Sequence, residues 1–410
     1  MTNYRRNVLF ASSAGVLNSI SWFLYLPAAI VASGPGYASW LPFLALLQLV
    51  PSLDFGVGTN LSRNAAMLDP GSKFKLESLK VAVLLQVVLS VLVGTLVAYV
   101  ARSDWVFLLL AVFGAILLPP LRLPSAILQG YGRWSVERAG VFVAGTLRLL
   151  TSGLVLLGLK ADVVYLAAFD LVTLLIPGLI AVVALPTVHR SSSRRRPVPV
   201  VYGANMWVWI VGTAPFVFVQ LPVLLLAGRA SVDVAICLAG LARIAGLVRQ
   251  AATWITEPAM REIQLRRESC FQRKFLVMMA TFACSTFLIG GTLAVFSDEI
   301  IQMWLTVAPG AVKVLWMSVV VSVAALVWLQ ALGVMALTAH REKVLALCML
   351  PALVVAIISE LVFEPVLAQL WWAGASLFCA AAGTVSMYVS NRFINWRSRS
   401  GWLGVHQRRS

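Results

Sequence analysis

The sequence predicts an all-α polytopic membrane protein of about twelve transmembrane helices, with the N- and C-termini both cytoplasmic. Composition, the length of the apolar runs and the placement of Arg and Lys each point to it. The chain of 410 residues is 60% hydrophobic and only 12% charged. A soluble domain carries about 25% charged residues, so most of this chain faces lipid or other helices. A spanning helix needs roughly 20 apolar residues. Open sheets and loops are excluded from hydrocarbon because their backbone groups would go unpaired. The apolar runs are continuous rather than alternating, which selects a helical bundle over a barrel.

The runs place spans at 8–31, 36–58, 79–100, 105–128, 139–158, 163–187, 203–228, 233–258, 275–296, 312–337, 344–363 and 370–391. The first follows Arg5 and Arg6 and reaches about Val31. That is too long for a signal-peptide core and has no clear cleavage site, so it reads as a retained span. Its Ser12, Ser13, Asn18, Ser19 and Ser21 turn one face toward other helices or water. The second span ends in Asp54-Phe55-Gly56. The fourth carries Pro119, Pro120 and Pro124, expected to break the regular helix and open backbone groups to a cavity. The eleventh ends near Glu360 and Glu364, which read as an exposed interfacial pair, with cation binding as the alternative. Trp40, Trp105, Trp304, Trp371, Trp372 and Trp396 fall near span ends and read as interfacial anchors, while Trp22, Trp207, Trp209 and Trp254 lie deeper.

Charge fixes the orientation. Of 32 Lys and Arg, 24 fall in segments on the N-terminal side of the membrane, four on the opposite side and four inside spans. Basic residues are retained on the cytoplasmic side. The same asymmetry accounts for the net charge of +16 without a nucleic-acid partner. The segment His189–Val200 (HRSSSRRRPVPV) divides the spans six and six. The expected organisation is an N-terminal six-helix bundle over 1–189, a basic cytoplasmic linker over 190–202, a C-terminal six-helix bundle over 203–392 and a basic tail over 393–410. Transporters built from two related halves share this layout. An acid, a helix breaker and a base close the second span of each half: Asp54 and Gly56 with Arg63, and Glu257 and Pro258 with Arg261.

A charge in the bilayer costs about 2.5–3.5 kcal/mol and needs a partner or a wet cavity. The intramembrane charges are Arg122, Arg148, Asp170, Arg243, Arg249 and Glu257, with Asp54 near the inner end of its span. Arg148 is too central to reach either surface. In the eighth span Arg243, Gln250 and Glu257 recur every seven residues, a polar stripe about 21 Å long at 1.5 Å per residue, with Arg249 off it. Pairing of these Arg with Asp170, Glu257 and Asp54 to hold helices together is the structural alternative. Four Arg against three acids leaves a positive excess, which an anion-binding cavity explains. Guanidinium suits phosphate because it stays charged and offers paired donors. His189, His340 and His406 all lie in inner loops, no His–Glu cluster has metal-ligand spacing, and no Gly-rich loop links a strand to a helix. The cysteines Cys237, Cys270, Cys284, Cys348 and Cys379 form no CxxC pair. No metal or cofactor is expected.

Two stretches resemble a known family. Positions 41–66, LPFLALLQLVPSLDFGVGTNLSRNAA, are similar to the second span of bacterial polysaccharide exporters of the Wzx type, with Leu53, Asp54, Phe55, Gly56, Val57, Gly58 and Arg63 in the motif places. Phe55 departs mildly from the usual Leu. Positions 121–150 resemble the family's Ile-Leu-Gln-Gly run and basic turn through Ile127, Leu128, Gln129, Gly130 and Arg133. Gly333–Leu337 before Arg341–Lys343 is a looser echo. The resemblance implies the multidrug/oligosaccharidyl-lipid/polysaccharide exporter superfamily, two six-helix bundles in a V as in MATE transporters, and alternating access.

It further implies a flippase that moves an undecaprenyl-diphosphate-linked oligosaccharide across the bacterial cytoplasmic membrane for surface polysaccharide synthesis. Arg148, Arg243, Arg249 and Arg122 would hold the diphosphate. Asp170, Glu257 and Asp54 would be charge partners or couple ions. The implied partners are the lipid-linked glycan, membrane lipids, and a glycan polymerase and glycosyltransferases of the same pathway. A cation-coupled multidrug exporter of the same superfamily is the first rival, and its cavity should be acidic. A non-transporting partner of a glycan-assembly complex is the second. An enzyme is not expected, because no outer loop is large enough to hold reacting groups and an acceptor.

Overall fold

The computed structural model describes residues 2–33, 57–67, 105–158, 162–189, 206–213, 231–266, 269–305 and 312–399, with residue 160 and scattered positions between 40 and 95. Its helices are α1 (Thr2–Ser33), α2 (Val57–Met67), α3 (Trp105–Gly130), α4 (Trp134–Leu156), α5 (Val163–His189), α6 (Val232–Arg266), α7 (Ser269–Leu293), α8 (Ser297–Leu305), α9 (Val312–Thr338), α10 (Glu342–Val362) and α11 (Pro365–Arg399). A short 3₁₀ turn, Ala294–Phe296, links α7 to α8. No strand occurs among the described residues. Nine helical stretches there are long and apolar enough to cross a membrane, and they coincide with nine of the twelve expected spans. The expected spans 36–58, 79–100 and 203–228 lie largely outside the described residues, as does Asp54.

The chain is a multi-pass membrane protein with its polarity turned inward. Phe113, Phe142, Leu150, Leu154, Val183 and Leu288 are exposed, as a lipid-facing surface requires. Arg148, Asp170, Glu137, Arg138 and Glu360 are buried. Packing sorts the helices into two sets. In the first, α1 packs on α4, α4 on α5, α5 on α3, and α3 on α2. In the second, α9 is central and meets α6, α7, α10 and α11. The sets meet chiefly where α1 lies along α6.

Helix α3 runs unbroken through Pro119, Pro120 and Pro124, contrary to the expected break. Neighbouring helices re-satisfy carbonyls freed by proline inside a bundle. The prolines still mark a cavity wall, because Leu118, Leu121, Arg122, Ser125 and Gln129 all line the cleft described below.

The turn after α3 repeats after α9. Gly132 has φ +71 and His340 φ +55. In both turns the next amide reaches back five residues, Arg133 to the Leu128 carbonyl (2.8 Å) and Arg341 to the Ala336 carbonyl (2.7 Å). In both the preceding residue closes an ordinary helical bond, Tyr131 to Ile127 and Ala339 to Met335. This is the left-handed C-terminal cap, which glycine adopts without steric cost. The repeat joins the Ile127–Arg133 motif to its echo at Gly333–Leu337.

Close approach of α1 and α4 depends on Gly145. A Cβ there would sit 3.1 Å from the Asn18 Cα. Gly145→Val therefore forces the helices apart and should destabilise the protein by about 1–3 kcal/mol, read as a lower melting temperature in detergent.

Candidate functional site

One face of α4 carries Trp134, Glu137, Arg138, Gly140, Ala144, Gly145, Arg148, Ser152 and Val155 into the protein. Charges on this face fall into two layers. Arg138 and Arg148 are ten residues apart, about 15 Å along the helix axis.

The deep layer is built around Arg148, which is 2% exposed. Its Nη1 donates to Asn18 Oδ1 on α1 (2.8 Å) and its Nη2 to Thr173 Oγ1 on α5 (2.7 Å). Its guanidinium lies 4.1 Å from the Trp22 ring centre, and that of Arg243 on α6 lies 4.6 Å from the same ring. Such cation–π contacts contribute about 0.5–2 kcal/mol each. Asp170 is fully buried beside them, and both Arg residues act on it electrostatically. Its Oδ2 accepts the Trp40 indole N–H (2.9 Å). Trp40 is therefore a buried partner of Asp170 and not an interfacial anchor. Asn18 also donates to Gln250 Oε1 (3.4 Å), and so does Ser19 (3.3 Å). Asn18 and Ser19 on the first span's polar face thus bridge the two helix sets.

The shallow layer is a cleft of about 410 Å³ at the end of the bundle that the charge distribution assigns to the cytoplasm. Its walls come from both helix sets. Arg122, Arg138 and Arg249 line it against Glu137 and Glu257, with Gln129, Ser125, Thr253, Thr256 and Gln330 as neutral polar groups. Arg138 Nε lies 2.9 Å from Glu137 Oε2, and Arg138 Nη2 bonds Glu257 across to α6. Gln129 donates to Glu137 Oε1 (3.2 Å). Arg249 feels both Arg122 and Glu257. The expected set of four Arg is therefore split: Arg148 and Arg243 flank Trp22, while Arg122 and Arg249 face the cleft.

The stripe of Arg243, Gln250 and Glu257 turns wholly toward the first helix set, meeting Trp22, Asn18 and Arg138 in turn. The sequence gives Arg138, Glu137 and Thr173 no site role, reads Trp22 only as a deep indole and reads Trp40 as an interfacial anchor. Arg138 counts there as one more cytoplasmic loop charge, since the apolar run begins after it. Glu360 is buried and accepts from Gln369 Nε2 (3.0 Å), so it is no exposed interfacial group. That contact ties α10 to α11 within the second set.

Neither a protein-family model nor a curated protein matches the chain by sequence. Solved structures match it by fold. A Vibrio cholerae MATE transporter superposes with a TM-score of 0.60 at 13% identity, over 96% of this chain and 98% of its own. A eukaryotic MATE transporter gives 0.57 at 14% identity over 96% and 97%. An outward-facing multidrug resistance MATE family transporter of the MOP superfamily gives 0.56 at 12% identity, over 97% of each chain. Over 96–97% of its length, the chain has the fold of the MATE transporters.

Proposed function

We propose that this protein is a flippase that moves an undecaprenyl-diphosphate-linked oligosaccharide from the cytoplasmic to the outer leaflet by alternating access. The observation that carries the reading is the basic cleft between the two helix sets, with three Arg against two acids. The buried layer beyond it adds Arg148 and Arg243 against Asp170. Anionic headgroups enter such a cleft from the cytoplasm, and the polyprenyl tail stays in the bilayer between the halves. The cleft's volume is within the usual range of about 300–1,000 Å³ for ligand sites. A membrane negative inside favours outward movement of an anion by about 2.3 kcal/mol per charge per 100 mV. The potential is therefore a driving force in itself, and the reading does not require coupling to H⁺ or Na⁺. The reading makes the protein a non-enzymatic, multi-pass component of the bacterial cytoplasmic membrane, with residues 1–189 and 203–392 as its two moving halves. Glycosyltransferases and a glycan polymerase would work on either side of it.

The second reading, a cation-coupled multidrug exporter, is favoured by the name of one fold neighbour. Binding separates the two. Purified protein should bind a fluorescent polyprenyl-diphosphate sugar, with competition by inorganic pyrophosphate and weakening by salt. It should not bind ethidium. The reverse pattern would replace the flippase by the drug exporter.

A further inference from the structure

Arg138 is shared between the halves. It stands on α4, is 9% exposed, and holds Glu137 on its own helix and Glu257 on α6. Both acids and Arg138 itself line the cleft. We propose that Arg138 is a latch worked by the cargo: a diphosphate entering the cleft takes the Nη edge of Arg138 from Glu257 and uncouples α4 from α6. The proposal rests on the cleft being an anion site.

The chemistry of the three groups supports the exchange. A guanidinium presents one edge of paired donors equally to a carboxylate or a phosphate. The Glu137 carboxylate lies 2.9 Å from Nε as an ion pair and is itself held by Gln129, so Arg138 keeps a charge partner throughout. The Glu257 side chain is 33% exposed, and water in the cleft receives it once it is displaced. A diphosphate carries more charge than one carboxylate and also meets Arg122 and Arg249 on the same walls. A cationic molecule would have to draw Glu257 away instead, against the repulsion of Arg122 and Arg249 on the same walls. The latch therefore favours anionic cargo, whether the diphosphate is lipid-borne or soluble.

The test is the distance between spin labels at the cytoplasmic ends of α4 and α6, in full-length protein in lipid nanodiscs. One arm adds inorganic pyrophosphate and the other geranylgeranyl diphosphate. Either ligand should shift the wild-type distance, and the one acting at lower concentration identifies the source. Glu257→Gln should show the shifted distance with no ligand. It leaves the Arg138–Glu137 pair intact, so no buried charge is orphaned. Arg138→Gln should also be shifted and should not respond to either diphosphate. A wild-type distance unmoved by both ligands, or a Glu257→Gln distance equal to that of empty wild type, would overturn the latch. A latch that responds to pyrophosphate in a protein that moves no lipid-linked glycan would stand without the flippase reading. Glycan movement with a silent latch would do the opposite.

Discussion

Arg148→Ala is expected to abolish export while the amount of protein in the membrane stays near wild type. Arg148 makes two charge-assisted hydrogen bonds, to Asn18 and Thr173, and a cation–π contact with Trp22. Hydrogen bonds to charged groups contribute about 1.5–3 kcal/mol each, so losing both costs a factor of a hundred or more in any step that needs this geometry. Alanine also takes away a cation that Asp170 faces, so that Asp170 must rely on Arg243. Arg148→Lys is the informative companion. Lysine restores the charge but cannot span Asn18 and Thr173 with a planar fork. It should recover only part of the activity. Export assays paired with membrane immunoblots check both variants.

The second large effect is a reversal of selectivity in the cleft. Changing Arg122 and Arg249 together to Glu converts three Arg and two acids into one Arg and four acids. A unit charge at about 5 Å is worth roughly 3 kcal/mol at an effective dielectric of 20. Affinity for a diphosphate headgroup should fall by more than a hundredfold on that scale. Arg122 is exposed and Arg249 half-buried, so the variant should fold. A cleft of this composition should instead admit cationic dyes. Equilibrium binding of the diphosphate probe and of ethidium to the same preparation measures both changes.

How far the sequence reveals this arrangement depends on what one dimension can carry. Span positions are legible because lipid demands long apolar runs, and nine spans of the described chain fall where those runs do. The inward stripe of α6 is legible because helical periodicity is fixed: residues seven apart share a face. Arg148 is legible because nothing at mid-membrane tolerates an unpartnered guanidinium. Depth relative to other helices is not legible. Arg243 and Arg249 look like neighbours in sequence, yet one lies over Trp22 and the other lines the cleft, about 9 Å further along the helix. Arg138 is hidden for a different reason. At the end of an apolar run any Arg is explained by retention on the cytoplasmic side, so its bond to Glu257 leaves no mark on the pattern. Trp40 is hidden likewise, since indoles at span ends usually anchor to the interface. Only the tertiary structure brings its N–H to Asp170.

The most direct measurement is leaflet exchange in proteoliposomes. A fluorescent polyprenyl-diphosphate sugar is reconstituted with purified protein, and its accessibility to an impermeant quencher is followed in time. The account predicts protein-dependent movement that is absent with Arg148→Ala. No movement with folded wild-type protein, across several sugars, would contradict it.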